Sequence, residues 1–240
     1  MCGKGDAQSP IILPAIGDDK VTQGDLEMKG YEAELKKFDV NAETGHAIGV
    51  VIKEETLPYL TGKNTVGDDK FYLKGFHFHL GNDDTRGSEH TIEGVTDPFP
   101  TELHFIHLKA GKNSLEEALD EPSSAVVLSV LFKADDATAD DKADAALSAI
   151  IDKVGVTGDA SKPLVMSDFI GPLETYYFYT GSITTPPCTQ GIKWVVFGTH
   201  PVVKATTLKR LRDVSPNLPK DNFRPARPST AVYKVQKFKT

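Results

Sequence analysis

Short runs of β-branched and aromatic residues recur along this 240-residue chain, and they constrain its fold more than any other feature. Glycine, proline, asparagine and aspartate separate the runs, as is typical of strands that end in turns. The clearest runs are HAIGVVI, TELHFIHL, SAVVLSVLF and IKWVVFGTHPVV, which begin at residues 46, 101, 124 and 192. They predict a mainly β (α+β) fold. Because β-rich folds of this size often form one unit, we expect residues 1–240 to make a single domain.

Three segments differ from this pattern and are typical of helices. Residues 140–155 begin with acidic residues and end in Lys153 and Gly155, a distribution that favours a helix. Within this segment, apolar residues repeat at helical spacing: Ala146, Ile150, Ile151 and Val154. Residues 114–121 and 205–213 predict two shorter helices. We expect the first helix to lie on the surface.

The composition argues against two classes of partner. The formal net charge is -7, and the Lys and Arg residues form no dense run of the kind that binds nucleic acid phosphates. No stretch approaches the roughly 20 consecutive apolar residues that a transmembrane helix requires. Apolar residues make up 39% of the chain, which is ordinary for a soluble globular protein. We therefore expect neither a nucleic acid partner nor a transmembrane segment.

The segment FHFHL, residues 76–80, carries two of the seven histidines on alternate positions. Side chains two positions apart on a strand share a face, so His77 and His79 are expected to project side by side. Phe76 and Phe78 then point to the opposite, apolar face. The segment predicts a strand with one core face and one histidine face.

A third histidine, His104, lies in the run TELHFIHL. If this run pairs antiparallel with FHFHL, His104 returns to His77 and His79, and three imidazoles converge on one point. Three protein ligands leave a zinc position open for water, which is typical of catalytic zinc sites. Glu102 shares the face of His104 and is placed to fix its tautomer. The alternative is that these histidines are ordinary core or surface residues, and spacing alone leaves both interpretations open.

The two cysteines, Cys2 and Cys188, lie too far apart in sequence for a CxxC motif. Either they pair in a disulfide, as in secreted, periplasmic or lumenal proteins, or both are free thiols of a cytosolic protein.

Seven segments together resemble the α-class carbonic anhydrases. They are QSPI (8–11), GHAIGV (45–50), FHFHLG (76–81), GSEHTIEG (87–94), ELHFIHL (102–108), YTGSITTPPCTQGIKWVVF (179–197) and NFRPARP (222–228). They occur in the family's order at close to its spacing, and GSEHTIEG together with GSITTPPC is far more specific than a pair of histidines. The resemblance implies the family's twisted, mostly antiparallel central sheet with short peripheral helices.

The resemblance implies a zinc enzyme, with His77, His79 and His104 as the metal ligands. The implied reaction is the reversible hydration of carbon dioxide to bicarbonate and a proton, by attack of a zinc-bound hydroxide. Carbon dioxide and bicarbonate are therefore the expected substrates, and sulfonamides and small anions the expected inhibitors.

Four further residues match the family's catalytic positions. Thr184 is expected to accept a hydrogen bond from the hydroxide and to donate its own proton to Glu89, which orients the nucleophile. Thr185 is expected to contact the substrate or bicarbonate. His46 matches the proton shuttle, a role that suits an imidazole whose ordinary pKa is about 6.5.

Other matched positions surround the metal. Glu102 is expected to hold His104, and the main-chain carbonyl of Asn222 is expected to orient His79. Five apolar residues, which taken alone would be assigned to the core, match the carbon dioxide pocket: Ile106, Val127, Ile183, Ile192 and Trp194.

Several positions depart from the family pattern, and three of them concern the first metal ligand or the proton pathway. Gly75 stands where the family usually has a glutamine that holds the first zinc ligand, so His77 needs another partner or a water. Thr44 and Gly49 stand where many members carry asparagines beside the proton pathway.

By resemblance, Cys2 and Cys188 form a disulfide that braces the threonine loop, because secreted and bacterial members often join cysteines at these positions. We therefore expect an extracellular, periplasmic or lumenal protein whose leader peptide is not part of this sequence.

Two alternatives to the hydratase come from other functional classes. The family includes relatives that lost zinc ligands, so the protein is alternatively a catalytically weak or inactive binding, storage or matrix protein. A missing ligand histidine would indicate that, and none is missing. A metalloprotease would normally carry a helical H-E-x-x-H motif, and the sequence has none.

Overall fold

Strands make up most of the regular structure in this computed structural model, which describes residues 5–17, 20–41, 47–97, 99–156, 162–214, 219, 221–230 and 232–240. The strands are β1 (Ile12–Leu13), β2 (Thr22–Gln23), β3 (Glu27–Lys29), β4 (Glu34–Leu35), β5 (Phe38–Asn41), β6 (Ile48–Ile52), β7 (Tyr59–Gly62), β8 (Gly67–Leu80), β9 (Thr91–Ile92), β10 (Thr101–Lys109), β11 (Ala125–Ala134), β12 (Leu164–Val165), β13 (Thr175–Ser182), β14 (Gln190–Phe197), β15 (Val202–Val203) and β16 (Gln236–Lys239). The mainly β prediction is confirmed.

The helices are few and short: α1 (Leu115–Leu119), α2 (Asp141–Lys153), α3 (Ala205–Asp213) and a 3-10 helix at Met166–Phe169. The three predicted helices are confirmed, and the 3-10 helix was not predicted. Side chains fix two of the starts, because Ser114 accepts a hydrogen bond from the Glu117 N–H, and Asp140 accepts from Lys142 and Ala143.

A twelve-stranded sheet, twisted and mostly antiparallel, forms the centre of the fold. Its main order is β2-β16-β13-β14-β11-β10-β8-β6-β5, with β3, β7 and β15 attached beside this path. The pair β11–β14 is parallel, whereas β10 pairs antiparallel with β8 on one side and with β11 on the other. The two histidine-bearing strands, β8 and β10, therefore lie side by side in the middle of the sheet.

The two faces of the central strands carry two separate cores. Phe76, Phe78 and Phe105 belong to one core, which continues into the buried faces of α2 and α3. Trp194 and Val127 belong to the other core, on the face of the sheet opposite α2 and α3, where Ala118 of α1 also packs. Alternation on β8 and β10 therefore directs the histidines at 77, 79 and 104 away from the helix-covered core, as the sequence pattern predicts.

The strand β8 is longer than its FHFHL segment suggests and contains an irregularity. Ile106 pairs with Gly75, but His107 pairs with Leu73, so Lys74 is the extra residue of a bulge. An added Cβ at Gly75 would clash with the Val50 carbonyl oxygen of β6. The close approach of β6 therefore explains why this position is a glycine.

The predicted strand run at 192–203 is divided in the structure. β14 ends at Phe197, and β15 begins at Val202 and pairs with the far end of β11. Pro201 lies in the gap and has no N–H to donate to a strand ladder. Because of this break, β14 pairs with the first half of β11 and β15 pairs with its last two residues.

Candidate metal centre

Three histidine side chains meet on one face of β8 and β10. His77 and His79 project from the same face of β8, and His104 is paired directly with His77 across the strands. His79 Nε2 lies 3.1 Å from His77 Nε2 and 3.1 Å from His104 Nδ1. The antiparallel pairing inferred from the sequence is confirmed, and it brings the three predicted ligands together.

The spacing of these nitrogens fits a tetrahedral metal. Three imidazole nitrogens bound to zinc at its usual distance lie about 3.3 Å from one another, close to the 3.1 Å separations here. His79 and His104 are almost completely buried, and His77 is partly exposed. The geometry therefore leaves the His77 side open toward solvent, as a three-ligand site with a free position requires.

Burial also favours the neutral form that a metal requires. Burial lowers the pKa of all three imidazoles. At His77 the neighbouring His79 and His104 lower the pKa further. At His79 the hydrogen bond to the Asn222 carbonyl opposes this shift, and at His104 the carboxylate of Glu102 opposes it. Neutral imidazoles present a lone pair and do not repel a cation, so the three histidines suit a divalent metal.

Two of the three histidines are oriented by hydrogen bonds from their other ring nitrogen. His79 Nδ1 donates to the Asn222 main-chain carbonyl at 2.9 Å. His104 Nε2 donates to Glu102 Oε1 at 2.7 Å. Both contacts match the sequence prediction, and they direct Nε2 of His79 and Nδ1 of His104 at the metal position.

His77 lacks such a partner within the described residues. Gly75 offers no side chain, and the only hydrogen-bond contact of the His77 ring in this part of the structure is the one to His79. Among the residues that the structure describes, no side chain takes the place of the usual glutamine as a partner for His77.

Glu102 is a completely buried carboxylate surrounded by donors. Its Oε2 accepts the main-chain N–H groups of Glu89 and His90, each at 2.7 Å. Its Oε1 lies 2.6 Å from His90 Nδ1 and accepts the Ser129 hydroxyl at 2.5 Å, in addition to His104. Burial by itself raises the pKa of Glu102, but the two histidines and their hydrogen bonds hold it well below its usual range. Glu102 is therefore ionised and only accepts hydrogen bonds.

Ser129 and His90 also contact Glu102, and neither is predicted as a site residue from the sequence. His90 Nε2 lies 2.7 Å from the Tyr179 hydroxyl, which in turn lies 2.8 Å from Ser9 Oγ. The signal for His90 was its place directly after Glu89 in GSEH. Ser129 gave a weaker signal, as a lone hydroxyl in a buried apolar strand.

Glu89 lies beside the metal position. Its Oε2 is 3.4 Å from His79 Nε2 and 3.9 Å from His104 Nδ1, and its Oε1 accepts the Arg224 main-chain N–H at 2.8 Å. Burial raises the pKa of Glu89, whereas His104, the Arg224 N–H and the Thr184 hydroxyl favour its charged form. Among the described residues, Glu89 Oε2 is buried and has no hydrogen-bond partner, and it lies beside the point where the three histidines meet.

The predicted pocket residues all lie on this side of the sheet. Trp194 packs edge-on against the His104 ring, with centroids 4.8 Å apart. Val127 and Ile192 are buried with Trp194 in one core, and Ile106 and Ile183 are partly buried against it. An apolar surface therefore borders the histidine cluster.

Several predicted residues are not tested by this structure. His46, Thr44 and Cys2 lie outside the described residues. Cys188 is buried. Its pairing with Cys2 stays a prediction, because Cys2 lies outside the described residues. Thr185 is exposed in the loop after β13. Within the described ranges, no helix is long and apolar enough to cross a membrane.

Comparison with known proteins agrees with this geometry. Residues 1–234 match the model of the eukaryotic-type carbonic anhydrase family. The chain is 32% identical to mouse carbonic anhydrase 6 over 207 residues, which cover 81% of this chain and 60% of the mouse protein. It is 31% identical to a carbonic anhydrase of Neisseria gonorrhoeae over 238 residues, which cover 96% of this chain and 77% of that protein.

Other relatives differ in coverage and in the activity that their names imply. The rat carbonic anhydrase-related protein is 27% identical, with 93% of this chain and 81% of the rat protein covered. The chain spans 60% and 65% of the lengths of mouse and bovine carbonic anhydrase 6. From the family match over nearly its whole length and the three converging histidines, the chain belongs to the eukaryotic-type carbonic anhydrase family.

Proposed function

We propose that this protein is a carbonic anhydrase that catalyses the zinc-dependent, reversible hydration of carbon dioxide to bicarbonate and a proton. The observation that carries the proposal is the convergence of His77 Nε2, His79 Nε2 and His104 Nδ1 on one point, with separations of 3.1 Å along the two measured edges. Zinc held by these three residues would lower the pKa of a bound water to about 7, so that this water could lose a proton and become a nucleophile toward carbon dioxide near neutral pH.

Thr184 and Glu89 orient the attacking water in this proposal. An ionised carboxylate only accepts hydrogen bonds, so in this proposal the Thr184 hydroxyl donates a hydrogen bond to Glu89. The Thr184 oxygen is then left to accept a hydrogen bond from the water, which fixes the direction of its lone pair. The buried Glu89 Oε2, which has no hydrogen-bond partner among the described residues, supports this role because it is left to accept from Thr184.

The apolar wall receives the uncharged substrate. Val127, Ile192 and Trp194 offer carbon dioxide a surface without hydrogen-bonding groups, apart from an indole N–H that is already bonded to the Ser182 carbonyl at 3.0 Å. Ile106 and Ile183 extend this surface in the proposal. Thr185 contacts the substrate or bicarbonate, and His46 carries the released proton to solvent.

Further properties follow from family membership as proposals. Sulfonamides and small anions compete for the open metal position. Cys2 and Cys188 form a disulfide, and the protein works in an extracellular, periplasmic or lumenal compartment. The family domain fills residues 1–240 as a single unit.

A second candidate is a zinc-binding relative with little or no activity. It is favoured by one observation, the lack of a described partner for the second ring nitrogen of His77, next to Gly75. Loss of such a partner weakens metal binding in other zinc sites.

Stopped-flow hydration of carbon dioxide separates the two candidates. The zinc-loaded protein is compared with His104→Ala, which removes a ligand, and with His200→Ala, which removes a histidine packed against Phe99. The hydratase proposal requires activity in the parent and in His200→Ala, and none above background in His104→Ala. Zinc bound by a parent that does not hydrate carbon dioxide supports the inactive relative.

A further inference from the structure

Ser129 is a polar residue in a strand whose sequence is otherwise almost entirely apolar. β11 reads AVVLSVLFKA, and its first eight residues are buried. Ser129 itself has no exposed surface. Burying a hydroxyl costs free energy unless it is hydrogen-bonded. Packing alone would therefore favour an apolar residue such as alanine at this position.

The hydroxyl has a specific partner in the metal centre. Ser129 is paired directly with His104 across β10 and β11, and Glu102 lies two residues before His104 on the same face of β10. This register places Ser129 Oγ 2.5 Å from Glu102 Oε1, the oxygen that also accepts from His104 Nε2.

More hydrogen-bond donors surround Glu102 than its carboxylate has acceptor sites. Three donors meet at Oε1, from His104, His90 and Ser129, and two main-chain N–H groups meet at Oε2. A carboxylate offers about four lone-pair sites for these five donors. The two main-chain donors fix Oε2. Of the three groups at Oε1, two are imidazoles, and the third is the hydroxyl of Ser129, the shortest side chain of the three.

We propose that Ser129 is a positioning residue for the metal ligand His104. It holds Glu102 Oε1 within hydrogen-bond distance of His104 Nε2, so that Nε2 carries the proton and His104 Nδ1 keeps its lone pair for the metal. The proposal deepens the proposed function, because it concerns the same metal centre. It needs that centre to bind zinc, but it does not need the protein to hydrate carbon dioxide.

Zinc affinity provides the first test. The zinc dissociation constant is measured by chelator competition for the parent, for Ser129→Ala and for Ser124→Ala. Ser124 is a matched control, since it is also buried, directly precedes β11 and lies outside the cluster around Glu102. We expect Ser129→Ala to weaken zinc binding by about tenfold, the lower end of the range for residues that support metal ligands. Ser124→Ala should change it less than twofold.

The tautomer of His104 provides a second test that uses the metal-free protein. Long-range nitrogen–proton spectra of histidine-labelled protein distinguish Nε2–H from Nδ1–H imidazoles. We expect His104 to be purely the Nε2–H form in the parent and in Ser124→Ala, and a mixture of both forms in Ser129→Ala. A merely structural role for Ser129 would lower stability without changing this ratio.

The outcomes separate the two proposals. Unchanged zinc affinity and an unchanged tautomer in Ser129→Ala overturn the role of Ser129, as does an equal loss of affinity in Ser124→Ala. A parent that binds zinc but does not hydrate carbon dioxide contradicts the proposed function and leaves the Ser129 comparison valid. A parent that binds no zinc overturns both proposals.

Discussion

Glu102 Oε1 lies 2.7 Å from His104 Nε2, and the two residues project from the same face of one strand. This contact assigns opposite roles to the two ring nitrogens of His104, because the nitrogen that donates to the carboxylate carries the proton. The other nitrogen faces His79 at 3.1 Å, at the point where the three histidines meet. Glu102 therefore decides which side of the ring is available to a metal.

Substituting this carboxylate should loosen the metal. In Glu102→Gln, an amide NH₂ replaces one acceptor oxygen and meets groups that are themselves donors. We expect zinc affinity to fall by about 10- to 100-fold and the free energy of unfolding to fall by about 1–3 kcal/mol. Chelator competition and urea unfolding measure the two effects. Glu116→Gln, on the exposed side of α1, is the matched control, and zinc affinity equal in both variants would contradict the assigned role.

The hydroxyl of Thr184 should matter more for rate than for metal binding. Thr184→Ala removes the group that links Glu89 to the attacking water, and misorientation of a reacting group costs about 100-fold in rate. We expect kcat/KM for carbon dioxide hydration to fall by that factor while zinc content stays unchanged. Thr184→Ser keeps the hydroxyl and should recover most of the rate. A serine variant as slow as the alanine variant would show that the hydroxyl is not the active feature.

Two glycines beside His77 should respond differently to the same substitution. A Cβ at Gly75 would clash with the Val50 carbonyl oxygen, whereas a Cβ at Gly49 meets nothing closer than the Phe76 carbonyl oxygen at 3.9 Å. We expect Gly75→Ala to destabilise the protein by about 1–3 kcal/mol. Gly49→Ala should change stability by less than about 1 kcal/mol. Thermal unfolding of the metal-free proteins measures both, and equal effects would contradict the close approach of β6 to β8.

Acid should destabilise the folded protein through His107. Burial lowers the pKa of His107 to about 3, and its ring contacts the Tyr31 hydroxyl on the helix-covered side of the sheet. The ordinary pKa of histidine is about 6.5, so as the pH falls the unfolded chain binds a proton well before the folded protein does. Stability is therefore lost as the pH falls below the ordinary value. From pH 7.5 to pH 5 this single group should cost about 2 kcal/mol of unfolding free energy.

The variant His107→Gln isolates this contribution. It should be less stable than the parent at pH 7.5, because a buried side chain has been changed, but it should lose about 2 kcal/mol less than the parent between pH 7.5 and pH 5. Urea unfolding of the metal-free parent and variant at both pH values gives the comparison. The contributions of the other histidines to the pH dependence are the same in both proteins and cancel in the difference. Identical losses in parent and variant would show that His107 titrates normally.

The sequence predicted the parts of this molecule that depend on local pattern. Alternation in FHFHL placed His77 and His79 on one face, since side chains on a strand repeat every two residues, and an assumed antiparallel pairing added His104. The acidic start of α2 was equally visible. The roles of Thr184 and Glu89 come from the family motifs and stay predictions.

Contacts that depend on register between distant strands were not predictable in this way. The role of Ser129 follows from its pairing with His104 on another strand, and the serine alone carries no sign of Glu102. Gly75 was recognised as a departure, but the bulge at Lys74 and the approach of β6 give its physical reason only in three dimensions. Burial of His107 beside Tyr31 likewise comes from packing between remote segments.

The most direct test of the central claim is a zinc titration of the metal-stripped protein with carbon dioxide hydration as the readout. The three-histidine site predicts that the stopped-flow rate rises linearly and stops rising at about one zinc per chain. In His104→Ala the same titration should leave the rate at background. A parent that takes up one zinc ion per chain without any hydration above background would contradict the proposed function.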